Sequence, residues 1–232
     1  MSSRWAASAL SWWQEAGVDT LVGETPRDWL GATPKAAAQA PETAPPPADE
    51  LPADLDAFRA WFVDPALLPL GAPSAPRIGP SGDPDSGLMI LIDMPGAQDI
   101  AAGSLIAGPA GDLFDKMLLA IGRSRETIYL AAMSPLRMPS GALGAEAERL
   151  ARIARHHIGL VGPRTLLLFG DGCAKALAGS AVAGARGRWH ALETPAGDVR
   201  TLVTITPEKL IDMPAWKKLA WADLQLLMEE LT

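Results

Sequence analysis

Residues 88–92 read Leu-Met-Ile-Leu-Ile and run straight into Asp93-Met-Pro-Gly96. Five consecutive apolar residues without polar alternation mark a strand buried on both faces, and only a sheet covered by helices on each side offers such a place. The rest of the chain supplies what that sheet needs. Further strands are expected at Thr127–Ala131, Thr165–Phe169 and Val199–Ile205. Between them, Asp112–Ile121 places Leu113, Phe114, Met117, Leu118 and Ile121 at helical spacing, with Gly122 as a stop. Gly144–Val161 carries Ala147, Leu150, Ala154, Ile158 and Val161 on one face and ends at Gly162-Pro163. Gly170-Asp-Gly172 turns into a short helix containing Cys173, and a closing helix, Pro214–Leu231, is expected to bury Trp216, Leu219, Leu224, Leu227 and Leu231. The alternation predicts an α/β fold of three layers: a doubly wound, four-stranded parallel sheet with helices on both faces.

The N-terminal side reads differently. A helix is expected over Asp54–Val63, with Leu55, Phe58 and Phe62 on one side, followed by a Gly/Pro/Ser loop over Leu70–Gly87. Gly31–Glu50 holds seven Ala and five Pro and no larger apolar residue, so it cannot bury enough surface to offset ordering and reads as a flexible linker. Five of the eight tryptophans (Trp5, Trp12, Trp13, Trp29 and Trp61) lie in the first 61 residues. Trp5, Ala9, Trp12, Trp13 and Ala16 share a helical face that stops at Gly17. The expected organisation is a Trp-rich helical segment at 1–30, a linker at 31–50 and the α/β domain at 51–232. The tethered tryptophans are the natural place for a protein partner.

Charge and cysteine usage narrow the function. Twenty Lys+Arg against 27 Asp+Glu leave a net charge of −7, so contact with a phosphate backbone needs a local basic patch. One cysteine excludes an intramolecular disulfide, a structural zinc site and a cysteine-ligated iron–sulfur cluster. No apolar run approaches the ~18–20 residues of a membrane span. The opening Met-Ser-Ser-Arg-Trp lacks the pattern of a secretory leader, which with the lone thiol places the chain in the cytoplasm.

In parallel sheets, ligands bind outside the carboxyl ends of the strands. Two exits carry suggestive groups: Asp93-Met-Pro-Gly96, and Thr206-Pro207-Glu208-Lys209. Read locally, both are turns, with Asp capping the next helix and Pro and Gly shaping the reversal. In order along the chain, however, the pieces resemble the uracil-DNA glycosylase superfamily, and most closely its iron–sulfur branch. Ile92–Gly96 is similar to that branch's Gly-Glu-Ala-Pro-Gly segment, and Gly108–Gly122 to the helix that follows. Tyr129-Leu-Ala-Ala132 resembles its Tyr-Ile-Thr-Asn, with Arg137 placed like the arginine after it. Arg186-Gly-Arg-Trp-His190 and Thr204-Ile-Thr-Pro207 resemble its closing motifs, and the likeness covers about residues 65–231.

The resemblance implies base-excision repair chemistry: a flipped nucleotide, a pocket for the base, and hydrolysis of its glycosidic bond by a positioned water. It implies catalytic roles for Asp93, at the place of the water-orienting carboxylate, and for Thr206, at the place of a histidine that stabilises the departing base. It implies a base pocket of Pro95, Gly96, Ile106 and Ala132. Ile106 stands where the family has a stacking Phe, and Ala132 where an Asn amide reads uracil; neither replacement supplies that group. DNA contacts fall to Arg137, Arg188 and Lys209. The branch's cluster cysteines correspond to Pro65, Leu68, Leu136 and Leu150, so no cofactor is expected and apolar packing is expected there.

Two functional classes remain open at this point. One is a divergent glycosylase with a degenerate site, acting on a base other than uracil. The other is a catalytically inactive DNA-binding or protein-interaction module. A dinucleotide enzyme fits poorly, because the Asp93–Gly96 turn lacks the glycine spacing a pyrophosphate needs. His156 and His157 are expected on the surface, His190 in a structural hydrogen bond or a functional one, Asp171 in a turn, and Cys173 as a small buried hydrophobe.

Overall fold

The computed structural model describes residues 51–231. The expected Trp-rich helix and the linker lie outside the described residues. Helix α1 (Leu55–Val63) begins on Asp54, whose side chain accepts the Ala57 amide at 2.9 Å. There follow β1 (Ser81–Gly82), β2 (Leu88–Ile92), α2 (Ala97–Ala102), α3 (Gly108–Ala120), β3 (Tyr129–Ala132), α4 (Ala147–Val161) and β4 (Thr165–Phe169). The chain closes with α5 (Asp171–Ala178), α6 (Val182–Ala185), β5 (Trp189–Thr194), β6 (Gly197–Thr204), α7 (Pro207–Asp212) and α8 (Lys217–Leu231).

The strands form one sheet in the order β1-β3-β2-β4-β6-β5. The four central strands are parallel, and their register pairs Ile92 with both Ala132 and Phe169, and Phe169 with Thr204. Every residue of β2, β3 and β4 is buried. Alternate residues face opposite sides, as the strand period demands. Met89, Leu91, Tyr129, Leu166, Leu168 and Val203 pack under α1, α4 and α5. Leu88, Ile90, Leu130, Leu167, Phe169 and Leu202 pack under α3 and α8. The three-layer, doubly wound arrangement is therefore as the sequence predicts.

Two strands go beyond the four expected. β1 adds antiparallel to β3, and β5 adds antiparallel to β6 through the hairpin at Pro195-Ala196. Edge strands carry a weak hydrophobic signature: β1 is two exposed residues, and only Leu192 of β5 is buried. Helix limits differ at termini that begin as 3-10 turns, as at Gly144–Glu146 before α4 and Pro214–Trp216 before α8. Leu219 does not enter the core; it is 40 % exposed, and only Ala220, Asp223, Leu224 and Leu227 of α8 are buried.

His157 corrects the expectation of a surface histidine, being 1 % exposed. Its Nε2 lies 3.0 Å from the Tyr129 hydroxyl, which in turn accepts from Arg59 Nε at 3.2 Å, and its ring lies 4.4 Å from that of Phe58. Burial, then the Arg59 and His156 charges, lower its pKa to about 3, so the ring is neutral. His156 is half-buried, with Nε2 2.7 Å from the Pro52 carbonyl. Among described residues, no helix is long and apolar enough to cross a membrane.

Candidate functional site

The chain leaves β2, adds β3 on one side, and then crosses to add β4 on the other, so the sheet's switch point lies between the β2 and β4 exits. Loops diverge at such a point and leave a crevice. Asp93 leaves β2 there, beside Gly170-Asp171-Gly172 leaving β4. Its carboxylate does not cap the helix that follows it in sequence. It accepts the Gly172 amide at 2.9 Å and the Cys173 amide at 2.5 Å, capping α5 from across the crevice. The two glycines make this possible. A Cβ at Gly170 would stand 2.8 Å from Asp93 Oδ2, and one at Gly172 would stand 2.7 Å from Asp93 Cγ.

Desolvation raises the Asp93 carboxyl above its ordinary range, against the lowering by its hydrogen bonds from Cys173 and Gly172, with the Asp171 charge adding to the rise. The Cys173 thiol is buried beside this carboxylate. Complete burial first, then the neighbouring negative charge, push the thiol well above its ordinary pKa. Cys173 is thus a protonated packing group, not a nucleophile.

A second carboxylate shapes the loop after β2. Asp99 is buried and accepts the amides of Gly96 at 2.9 Å and Ala107 at 2.7 Å. Between these points Ile106 adopts a φ of +52°, a left-handed conformation that costs a β-branched residue on the order of 1–3 kcal/mol. Arg125 holds it there. Its guanidinium donates to the carbonyls of Leu105 (2.9 Å) and Ile106 (2.7 Å), pairs with Asp115 at 2.6 Å, and lies over the Phe114 ring. Gly111 lets the turn close, because a Cβ there would meet the Ile106 carbonyl oxygen at 2.6 Å.

At the β6 exit, the Thr206 hydroxyl accepts the Lys209 amide at 3.3 Å and caps α7. The Glu208 carboxyl is raised by desolvation, and the charges of Asp99 and Asp93 add to the rise. Below the exit, Arg186 donates to both oxygens of Asp223, at 3.1 and 2.9 Å, and to the Leu219 carbonyl. Thr204 donates to Asp223 Oδ2 at 2.8 Å. Asp223 is fully buried; desolvation raises its carboxyl, against lowering by Thr204 and Arg186.

Two clefts open on this surface, and Asp93 and Asp171 border both. The first, about 550 Å³, also takes Thr206, Lys209, Arg186 and Trp216 as lining. The second, about 740 Å³, runs between α4 and α5 past Glu148, Arg155 and Lys175. Asp93 and Thr206 thus face one cavity. Ile106 and Ala132 are 1 % and 2 % exposed, lie in the core beneath α3, and line neither cleft; nor do Pro95 and Gly96. Of the expected DNA contacts, Lys209 lines the first cleft, while Arg137 and Arg188 are exposed away from both. His190 Nε2 lies 2.7 Å from the Ala185 carbonyl, tying β5 to α6. Asp171 Oδ1 accepts the Val182 amide at 2.8 Å and secures the turn into α6.

The order of elements and the two strand exits agree with a sequence-family match: the model of the uracil DNA glycosylase superfamily matches residues 80–225, well over half the chain. The chain belongs to this superfamily. Its Asp93 and Thr206 exits, Arg125 clamp and Arg186–Asp223 pair all fall inside the matched span. Leu68, Leu136 and Leu150 lie buried in one apolar cluster, whereas Pro65 is exposed. These four side chains offer no metal ligand, and the residues present do not fit an iron–sulfur cluster. Among described residues, no group of three or more His, Cys, Asp or Glu could hold a metal ion.

Arg186, Asp223, Asp99 and Arg125 are the site's main polar framework, and sequence reasoning assigned none of them a role. Asp223 does leave a signal. It sits between Ala220 and Leu224 on the apolar face of the last helix, where a charge needs a buried partner.

Proposed function

We propose that this superfamily member is a glycosylase-like protein that contacts DNA with a degenerate site and does not excise uracil. The observation carrying this reading is the commitment of Asp93. A carboxylate has about four lone-pair positions, and here two backbone amides from the start of α5 draw on them. Ile106 and Ala132, packed in the core, add to the same reading, since neither stacks on nor hydrogen-bonds a base.

A second reading has its own support. Asp93 and Thr206 share the 550 Å³ cleft, and the Asp93 carboxylate keeps lone pairs beyond its two backbone amides with which to orient a water. This would be a divergent base-excision enzyme that hydrolyses the glycosidic bond of a base other than uracil.

One experiment separates them. The full chain is incubated in excess with single- and double-stranded oligonucleotides carrying uracil, hypoxanthine or xanthine, and abasic sites are revealed by alkaline cleavage while binding is followed by anisotropy. Binding without release is expected. Release of hypoxanthine or xanthine, abolished in Asp93→Ala, selects the second reading, and release of uracil or an absence of binding overturns the first. A protein partner for residues 1–30 belongs to the same proposal. It requires that a partner identified with the full chain fail to bind residues 31–232.

A further inference from the structure

Neither use of Asp93 engages the second cleft, the space of about 740 Å³ between α4 and α5. Both helices follow strands of the parallel part of the sheet, so both start at the strand exits and run back along the sheet side by side. Their direction sorts the charges that line the cleft. Glu148, in the first turn of α4, and Asp171, at the start of α5, stand at the exit end. Lys175 lies four residues into α5, and Arg155 seven residues beyond Glu148. At ~1.5 Å per residue, the cationic end is about 6–10 Å down the cleft from the carboxylates. Three of these groups are uncommitted. Among the described residues, the side chains of Glu148 and Lys175 have no hydrogen bond or ion pair, and Arg155 has no carboxylate partner. The Arg155 guanidinium donates once, to the Ala176 carbonyl at 3.2 Å, which ties α5 to α4 and fixes the width of the cleft.

Between the charged ends the lining is apolar: Met94, Leu143, Ala147 and Ala151. Met94 adds an adaptable surface, its sulfur held by the Met138 amide at 3.4 Å. Among the described residues no aromatic ring lines this cleft, so nothing in it stacks on a base. A carboxylate at one end, cations at the other and an apolar floor fit a ligand of the opposite polarity, an ammonium and a carboxylate about 6–10 Å apart on an apolar body. A fatty acid would leave Glu148 unused, and an alkylamine would leave Lys175 and Arg155 unused. A free amino acid is too short, because its two charges sit on one carbon. Two or three peptide residues, at ~3.3–3.6 Å each, reach the required length. The volume lies within the ~300–1,000 Å³ range of small-ligand sites.

We propose that the second cleft binds a free di- or tripeptide of apolar residues, with its terminal ammonium against Glu148 and its terminal carboxylate against Lys175 and Arg155. The site does not rest on the DNA-contact reading, and neither depends on the other's outcome.

The test is equilibrium binding to the full chain, by titration calorimetry, of dileucine, trileucine, N-acetyl-trileucine, trileucine amide and leucine. Saturable binding of dileucine or trileucine is expected, with the acetylated form, the amide and leucine each about tenfold or more weaker. Two variants read the ends separately. Glu148→Gln should weaken trileucine and leave the N-acetyl form, which has no ammonium, unchanged. Lys175→Gln should weaken trileucine and leave the amide, which has no carboxylate, unchanged. Both side chains are exposed, so both variants should keep the thermal midpoint of the parent chain. No saturable binding of dileucine or trileucine at millimolar concentration overturns the site. Equal binding of trileucine and either blocked form overturns recognition of both ends, and so does trileucine binding that Glu148→Gln and Lys175→Gln both leave intact.

Discussion

Arg186 grips Asp223 through both carboxylate oxygens, Nε to Oδ2 at 3.1 Å and Nη2 to Oδ1 at 2.9 Å. The pair joins the loop before β5 to the middle of the last helix, directly below the first cleft. Asp223 has no exposed surface. Removing one partner of such a pair leaves a buried charge, which typically costs about 3–5 kcal/mol. Arg186→Ala should lose about that much stability in urea denaturation, and Arg186→Met combined with Asp223→Leu should recover part of it. Equal losses for the single and double variants would show that the ion pair itself is not what matters.

His157 sets the response to acid. Its folded pKa of about 3 lies below the ordinary 6.5, so below pH 6.5 the unfolded chain binds a proton that the folded chain refuses. Stability attached to this group is present above pH 6.5 and falls as pH drops toward 3. His157→Gln should flatten the stability profile between pH 6.5 and 4 while lowering stability at pH 7.5 through lost packing on Phe58. Chemical denaturation at pH 7.5, 5.5 and 4.5 reads both effects, and an unchanged acid slope in the variant would refute the assignment.

Asp93 acts in the opposite direction. A carboxyl raised above its ordinary 3.8 contributes stability that is full below that value and is lost as pH rises through the raised one. Asp93→Asn should remove this decline. Asp93→Ala should cost about 0.5–2 kcal/mol, as loss of an N-cap does, and Gly172→Ala should cost about 1–3 kcal/mol by crowding the same carboxylate. Urea midpoints measured across pH 4–8 separate the titration from the cap.

Arg125 carries the cost of the Ile106 turn. Arg125→Ala removes two carbonyl contacts and the pair with Asp115, and should destabilise by about 1–3 kcal/mol. The change should also be local. Amide exchange should quicken at 104–107 well before it does in β2, whereas uniform quickening throughout the domain would refute a clamp.

The parallel core was legible because β2 is an unbroken apolar run of five residues and β4 follows Thr165 with four more, Leu166 to Phe169, a pattern that a doubly covered sheet requires. The edges were not. β5 reads Trp-His-Ala-Leu-Glu-Thr with one buried residue, and β1 is two residues whose pairing comes from the sheet and not from their own composition. Asp93 and Thr206 could be picked out by their place after a strand. The carboxylate's partners could not, because Gly172 lies 79 residues away and becomes a neighbour only through the crossover. The burial of His157 was not legible, because helical spacing marks which face a residue occupies but does not count how many elements cover that face. Here α1 supplies Phe58 and β3 supplies Tyr129.

The cap on α5 has a consequence in time. That helix has eight residues, well short of the ~12–15 at which isolated helices hold in water. Its first amides are satisfied by a side chain that precedes them by 79 and 80 residues. The segment cannot complete its own end; it waits for β4 to dock beside β2. Protection of the Gly172 and Cys173 amides during refolding therefore dates the moment at which the two halves of the sheet close.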